Sequence, residues 1–219
     1  MFPQQFVVLV PVKPPAVGKS RLSELGDAER RELAAAFALD TVDACRGALL
    51  VAEVLGITDD ADFARELQAI GCASIPDGTT DDLNGTLRLA AAEARRRWPD
   101  LVPAALLGDV PALMPEELDE ALGSVATGEA AYVVDADGSG TTLYTAAYDA
   151  FDPHFGPGSA AAHSVAARAI IGDLAGLRRD VDDLASLREA WGLGVGPRTR
   201  RRAAPLVGDG PSDVDQPNG

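Results

Sequence analysis

The stretch Ala104-Ala-Leu-Leu-Gly-Asp-Val-Pro-Ala-Leu-Met114 decides how the rest of the chain is read. A short apolar run closes on Gly108-Asp109, and a proline-marked turn leads into the acidic helix start Pro115-Glu-Glu117. An apolar run bounded by turn residues reads as a buried parallel strand. Open α/β sheets bind their ligands at the carboxyl ends of such strands. A carboxylate there is well placed to hold a divalent metal against a phosphate. Asp109 would equally suit a strand-to-turn junction through its turn chemistry alone, so the choice falls to the remaining segments.

Upstream, strands and helices alternate. Phe6 to Val12 reads as a first buried strand, with Pro11 near its exit. A polar loop from Lys13 to Leu22 precedes a helix from Asp27, a fair N-cap, to about Ala48. Leu50 to Thr58 and Cys72 to Pro76 read as strands; Asp60 to Ile70, Leu83 to Trp98 and Pro115 to Leu122 read as helices. This alternation predicts a three-layer α/β/α fold around a mostly parallel central sheet. Beyond residue 125 the pattern changes. Ala130 to Asp135 and Thr141 to Ala147 read as a hairpin-like pair around Asp137-Gly-Ser-Gly140. There follow a loop from Asp152 to Ser159, a helix from Ala160 to Ile171, a short strand into Asp180 and a helix from Asp183 to Trp191. The pattern predicts one domain over residues 1–196. Pro197 to Gly219, rich in Pro, Gly, Arg and Asp, reads as a flexible tail.

A chain of 219 residues with 47% hydrophobic content can bury a sizeable core. Its formal charge of −15 argues against a general nucleic-acid binder, which needs a basic face. A nucleotide enzyme is not excluded, because a few local cations suffice. Cys45 and Cys72 have no metal-ligand spacing and read as small core residues in a reducing compartment. No stretch is long enough to cross a membrane and no signal peptide is evident. The expectation is a cytoplasmic protein. Oligomeric state has no signature here.

Several motifs could carry chemistry. Gly18-Lys-Ser20 ends like a P-loop, but Lys13 stands where the motif needs its first glycine. The proline-rich loop also lacks the free N–H groups that wrap phosphate. What remains is three cations, Lys13, Lys19 and Arg21, in one loop: a triphosphate clamp or an ordinary solvated loop. Asp77-Gly-Thr-Thr-Asp-Asp-Leu-Asn84 suits caps and turns, or recognition of a base or ribose through Asn84. In Arg179-Asp-Val-Asp-Asp183, Asp180 and Asp182 would face one side of an extended segment and grip a metal together with Asp109. A helix N-cap is the plainer account of the same residues. Ser159 can cap the helix expected from Ala160, and such an N-terminus can take an anion. His154 and His163 show no ligand spacing and receive no catalytic role.

With these residues in view, the sequence resembles the guanylyltransferases that build the deazaflavin coenzyme F420, which use 2-phospho-L-lactate or, in bacterial relatives, phosphoenolpyruvate. The matching segments are Val10-Pro-Val-Lys13 with Gly18-Lys-Ser-Arg-Leu22, Asp82-Leu-Asn84, Leu107-Gly-Asp-Val-Pro-Ala-Leu113, Gly138-Ser-Gly-Thr-Thr142, Phe155-Gly-Pro-Gly-Ser159 and Arg179-Asp-Val-Asp182. They fall in the family's order between residues 5 and 197. The resemblance implies a nucleotide-diphospho-sugar transferase (GT-A, Rossmann-like) fold. It implies that Asp109, Asp180 and Asp182 bind Mg²⁺, with two ions expected, and that Thr141, Gly156 and Ser159 hold a phosphorylated three-carbon acid. GTP would meet Lys13, Lys19, Arg21, Gly108 and the segment around Asn84. The proline-rich loop between Val12 and Gly18 departs from the family's pattern.

The expected reaction is nucleotidyl transfer. A phosphate oxygen of the acceptor attacks the α-phosphorus of GTP, and pyrophosphate leaves. That oxygen is already ionised near neutral pH, so no general base is required, in keeping with the unassigned histidines. Asp109, Lys19 and Arg21 are the expected catalytic residues. Phosphoenolpyruvate, 2-phospho-L-lactate and 3-phospho-D-glycerate remain open as acceptors. Two rivals stand beside this reading: a related nucleotidyltransferase acting on a molybdenum cofactor or a sugar phosphate, and a non-catalytic nucleotide-binding module.

Overall fold

The computed structural model describes residues 3–12, 25–79 and 81–208. Its centre is a seven-stranded sheet of β1 (Phe6–Pro11), β2 (Val51–Ile57), β3 (Ala73–Ile75), β4 (Val102–Leu106), β5 (Ala131–Val134), β6 (Thr141–Thr145) and β7 (Arg168–Ala169). The strand order is β3-β2-β1-β4-β6-β5-β7. Only β6 runs against its neighbours, pairing antiparallel with β4 and β5. The three-layer, mostly parallel architecture expected from the alternation is therefore what forms.

β1 shows why its sequence is apolar throughout. Phe6, Val8 and Val10 face one core with Ala38, Leu39 and Val42 of α1 (Asp27–Gly47), Phe63 and Leu67 of α2 (Ala61–Ala69) and Leu118 and Leu122 of α4 (Pro115–Gly123). Val7 and Leu9 face the other, with Leu87, Ala90 and Ala94 of α3 (Leu83–Arg97) and Ala160 of α5 (Ser159–His163). A strand covered on both faces has no position left for a polar residue. Helix starts follow local chemistry. Asp60 accepts from the Asp62 and Phe63 amides, and Asp82 accepts from Gly85. Gly26, not Asp27, is the N-cap of α1; Asp27 lies in its first turn.

Four further expectations fail. Ala160 to Ile171 is not one helix: α5 stops at His163, and β7 joins the sheet edge beside β5. The Arg168 amide donates to Ala130 (2.9 Å) and that of Ile170 to Tyr132 (2.8 Å), so edge pairing overrides the alanine-rich propensity. Ser159 is the first residue of α5 rather than its cap, which is Gly158 at φ 74°. No strand enters Asp180; α6 (Ala175–Arg178) takes that place. Finally, Pro197–Val207 is no tail but a helix, α8, packed on α1 and α7 (Leu184–Leu193). Thr199 and Ala203 are fully buried, and Ala203 packs in a cluster with Leu33, Phe37 and Leu187. The remainder of the expected tail, 209–219, lies outside the described residues.

Among the described residues, no helix is long and apolar enough to cross a membrane.

Candidate active site

The site forms at the carboxyl end of the sheet, where Asp109 follows β4. Asp109 comes three residues after the strand, in the turn, at the position the turn-chemistry reading gives it. The second acidic segment is brought to it by backbone. The Val181 amide donates to the Asp109 carbonyl at 2.9 Å, which sets Asp180 and Asp182 on either side of that contact.

Side chains the sequence analysis passed over hold this segment. The Glu117 carboxylate accepts from the Gly176 amide at 2.9 Å and the Leu177 amide at 3.0 Å, fixing the start of α6 to α4. Arg178 donates to the carbonyls of Val134 (2.8 Å) and Ile170 (3.0 Å), and its own carbonyl accepts from the Ala136 amide (2.8 Å). The segment is thus stitched to the ends of both β4 and β5. The second stitch brings in a further carboxylate, Asp135. It accepts from Ser139 (3.0 Å) and Gly140 (2.8 Å) and so shapes the β5–β6 turn. Its signal was its place at a strand end just before a glycine turn.

Asp180 registers the result. Burial first, then the negative charges of Asp109, Asp182 and Asp135, push its pKa up to about 7. The nearby Arg179 guanidinium is engaged with Asp137 (3.3 Å) and Glu189 (2.8 Å). Carboxylate oxygens are the hard ligands that Mg²⁺ prefers, and a divalent cation is what would relieve this repulsion. By donor chemistry the residues fit such an ion. Among the described residues, however, no group of three His, Cys, Asp or Glu is already gathered at metal-binding spacing.

A second group of side chains is joined to Asp135 through the β5–β6 turn. Thr141, at the start of β6, is 2% exposed, and its hydroxyl lies 3.0 Å from Nδ1 of His163. Nε2 of His163 accepts the His154 amide at 2.9 Å. The imidazole stacks on Tyr144 at 4.6 Å between centroids and meets the edge of Phe155 at 5.4 Å. Burial first, then the neighbouring His154, push the His163 pKa down to about 4, against smaller upward pulls from the Ser159 backbone and Asp152. Gly156 is exposed and sits at φ 133°, a conformation that favours glycine. Ser159 is 2% exposed. The Ala160 amide donates to the Ser139 carbonyl at 3.2 Å, which joins α5 to the β5–β6 turn. Thr141, Gly156 and Ser159 therefore belong to one connected patch.

Of the residues expected against the nucleotide, Lys13, Lys19 and Arg21 lie outside the described residues. Asn84 is engaged within the protein. Its amide nitrogen donates to the Phe155 carbonyl (2.9 Å), and its carbonyl accepts the Phe155 amide (2.8 Å). It braces the start of α3 against the Phe155–Ser159 loop. Gly108 lies tight against β1: a Cβ there would stand 3.1 Å from the Pro11 carbonyl oxygen.

The three-layer, mostly parallel sheet is a fold also seen in the nucleotide-diphospho-sugar transferase class. The crystal structure of a Desulfovibrio desulfuricans protein assigned to that class superposes with a TM-score of 0.63 at 19% identity, over 90% of this chain and 91% of the other, a likeness of fold. The family narrows further. The model of the family described as "Guanylyl transferase CofC like" matches residues 6–183, and the chain belongs to this family. It is 46% identical to a phosphoenolpyruvate guanylyltransferase of Streptomyces scabiei, over 93% of this chain and 98% of that protein. It is 44% identical to one of Thermomonospora curvata, over 90% and 88%.

Proposed function

We propose that the protein transfers GMP from GTP to the phosphate of phosphoenolpyruvate, as a step of coenzyme F420 biosynthesis. The observation that carries this reading is the meeting of Asp109 and Asp180 at the carboxyl end of the sheet, in a chain whose curated relatives bear that activity over nearly their whole length. An acceptor phosphate oxygen forms the new bond to the α-phosphorus of GTP. The bond from that phosphorus to the bridging oxygen breaks, and pyrophosphate leaves with the electron pair.

Asp109, Asp180 and Asp182 are the residues that would hold Mg²⁺, with two ions as the finer form of the proposal. Bound there, the metal would supply charge neutralisation between the approaching anions and orientation of their oxygens. The chain's own part is positioning. The Val181–Asp109 contact and the Glu117 and Arg178 anchors fix where the carboxylates sit. The Thr141, Gly156 and Ser159 patch would take the three-carbon acid through hydroxyl and backbone donors. Lys13, Lys19 and Arg21 would steady the departing pyrophosphate, an assignment that rests on the family resemblance.

The test is incubation with GTP, Mg²⁺ and, in separate reactions, phosphoenolpyruvate, 2-phospho-L-lactate and 3-phospho-D-glycerate, with mass detection of the diphosphate diester. Product from phosphoenolpyruvate is expected. Product only from another acceptor corrects the substrate, and GTP binding without product from any of them sinks the enzymatic reading.

A further inference from the structure

We propose that His163 is a positioning residue that sets the hydroxyl of Thr141 as a hydrogen-bond donor toward the acceptor anion. The inference rests on the reading of Thr141 as an acceptor contact.

The argument starts from a backbone amide. The His154 N–H can only donate, and it points at Nε2 of His163 from 2.9 Å. Nε2 must therefore carry a lone pair, and in a neutral imidazole the proton then sits on Nδ1. Nδ1 is the atom 3.0 Å from the Thr141 hydroxyl. It follows that Nδ1–H donates and Thr141 Oγ1 accepts. The hydroxyl proton of Thr141 is left to point elsewhere.

The tautomer matters because the expected ligand is an anion. With the proton on Nε2, Thr141 would have to donate to the ring. It would then turn only lone pairs toward a phosphate or carboxylate, and repel it. With Thr141 2% exposed, water has little hold on the hydroxyl, so its neighbours decide its orientation. The ring itself cannot turn freely, being stacked on Tyr144 and edged by Phe155. The same histidine lies at the end of the short helix that begins at Ser159, and the amide it accepts is two residues before Gly156. One side chain thus ties together all three segments expected to hold the acceptor.

Two substitutions separate its contacts. His163→Asn places an amide N–H near the position of Nδ1 and preserves donation to Thr141. His163→Gln places a carbonyl near Nε2, preserves acceptance from His154 and loses the donor. Steady-state kinetics should show KM for phosphoenolpyruvate raised about tenfold in His163→Gln, the loss of one oriented hydrogen bond. The KM for GTP and kcat should stay near wild type, and His163→Asn should recover most of the loss. In a Thr141→Val background, where the hydroxyl is gone, His163→Gln should add nothing further.

If Thr141→Val leaves the acceptor KM unchanged, the acceptor role of Thr141 is wrong and the proposal goes with it. If Thr141→Val raises KM but His163→Gln does not, or the two effects multiply in the double variant, Thr141 keeps its role and the action of His163 through it is overturned. Parallel loss of kcat and both KM values in the Asn and Gln variants would mark His163 as structural only. Should the variants not fold, ¹⁵N chemical shifts of the wild-type imidazole decide: a proton on Nδ1 supports the proposal, and one on Nε2 ends it.

Discussion

Asp40 and Asp180 are both aspartates largely withdrawn from water in a chain of charge −15, and the protein treats them in opposite ways. The Asp40 side chain, 1% exposed on α1, receives the amides of Arg198 (3.2 Å) and Thr199 (2.7 Å) and the Arg198 guanidinium (3.3 Å). It stands at the N-terminus of α8, where free amides and the helix dipole favour an anion. The fit is close enough that a Cβ on Gly196 would come within 2.4 Å of it. Asp180 is placed among Asp109, Asp182 and Asp135 instead. A carboxylate met by donors fastens one helix to another. A carboxylate met by its own kind weakens the local fold and gains affinity for a cation.

The sharpest way to break this contrast is to remove charge at each place. Asp109→Asn should lower pyrophosphate release from GTP plus phosphoenolpyruvate by roughly a thousandfold or more, as loss of a metal-binding carboxylate does to transition-state charge stabilisation. Its thermal midpoint should stay near that of the wild type, because the substitution keeps the shape of the side chain. Near-normal turnover would falsify the role given to Asp109. Asp40→Ala should do the reverse. Stability should fall by about 3 kcal/mol, the low end for breaking a buried pair because Arg198 keeps 30% exposure and can rehydrate. Turnover per folded molecule should persist. Urea denaturation read beside activity separates the two; a destabilised Asp109→Asn with an unaffected Asp40→Ala would invert the argument.

His163 offers a third, smaller comparison, because its burial carries a pH signature. Its folded pKa of about 4 lies below the ordinary 6.5, so between those values the unfolded chain binds the extra proton. The stability that follows from keeping the ring neutral is fully present above pH 6.5 and lost as pH falls toward 4. From pH 7.5 to pH 5 this histidine alone should remove about 2 kcal/mol. Urea unfolding of wild type and His163→Gln at both values isolates it, since the other acids titrate in both proteins. The wild type should lose more on acidification, and equal losses would show that the ring titrates normally.

How far the sequence could be read follows from the same distinction between local and distant partners. The alternation up to residue 125 was legible because the central strands β1 and β4 are enclosed on both faces and α2 and α3 carry their own start signals, Asp60 and Asp82. α8 was not, because what makes Pro197–Val207 a helix rather than a tail is Asp40, over 150 residues earlier, at its N-terminus. β7 was hidden in an alanine-rich run, and only the edge of β5 stops that run from continuing α5. At the site, Asp109 stood out at the end of an apolar run, and Asp180 and Asp182 stood out by their two-residue spacing in an acidic cluster. Asp135 read as the last residue of a strand, and His163 showed no ligand spacing because both of its ring nitrogens face protein groups.

Asn84 tests the boundary between the two kinds of residue. Its segment suited caps and turns or recognition of a base or ribose, and both ends of its amide are matched to the Phe155 backbone. If bracing is its work, Asn84→Ala should lower stability by only about 1–2 kcal/mol, two hydrogen bonds partly replaced by water. The Phe155–Ser159 loop, released from α3, should then bind the acceptor more weakly, with KM for phosphoenolpyruvate rising more than KM for GTP. A residue that read guanine would give the opposite split: a raised KM for GTP and a relaxed preference for GTP over ATP. Measuring both constants in one variant therefore decides whether Asn84 belongs with Asp40, serving the fold, or with Asp180, serving a ligand.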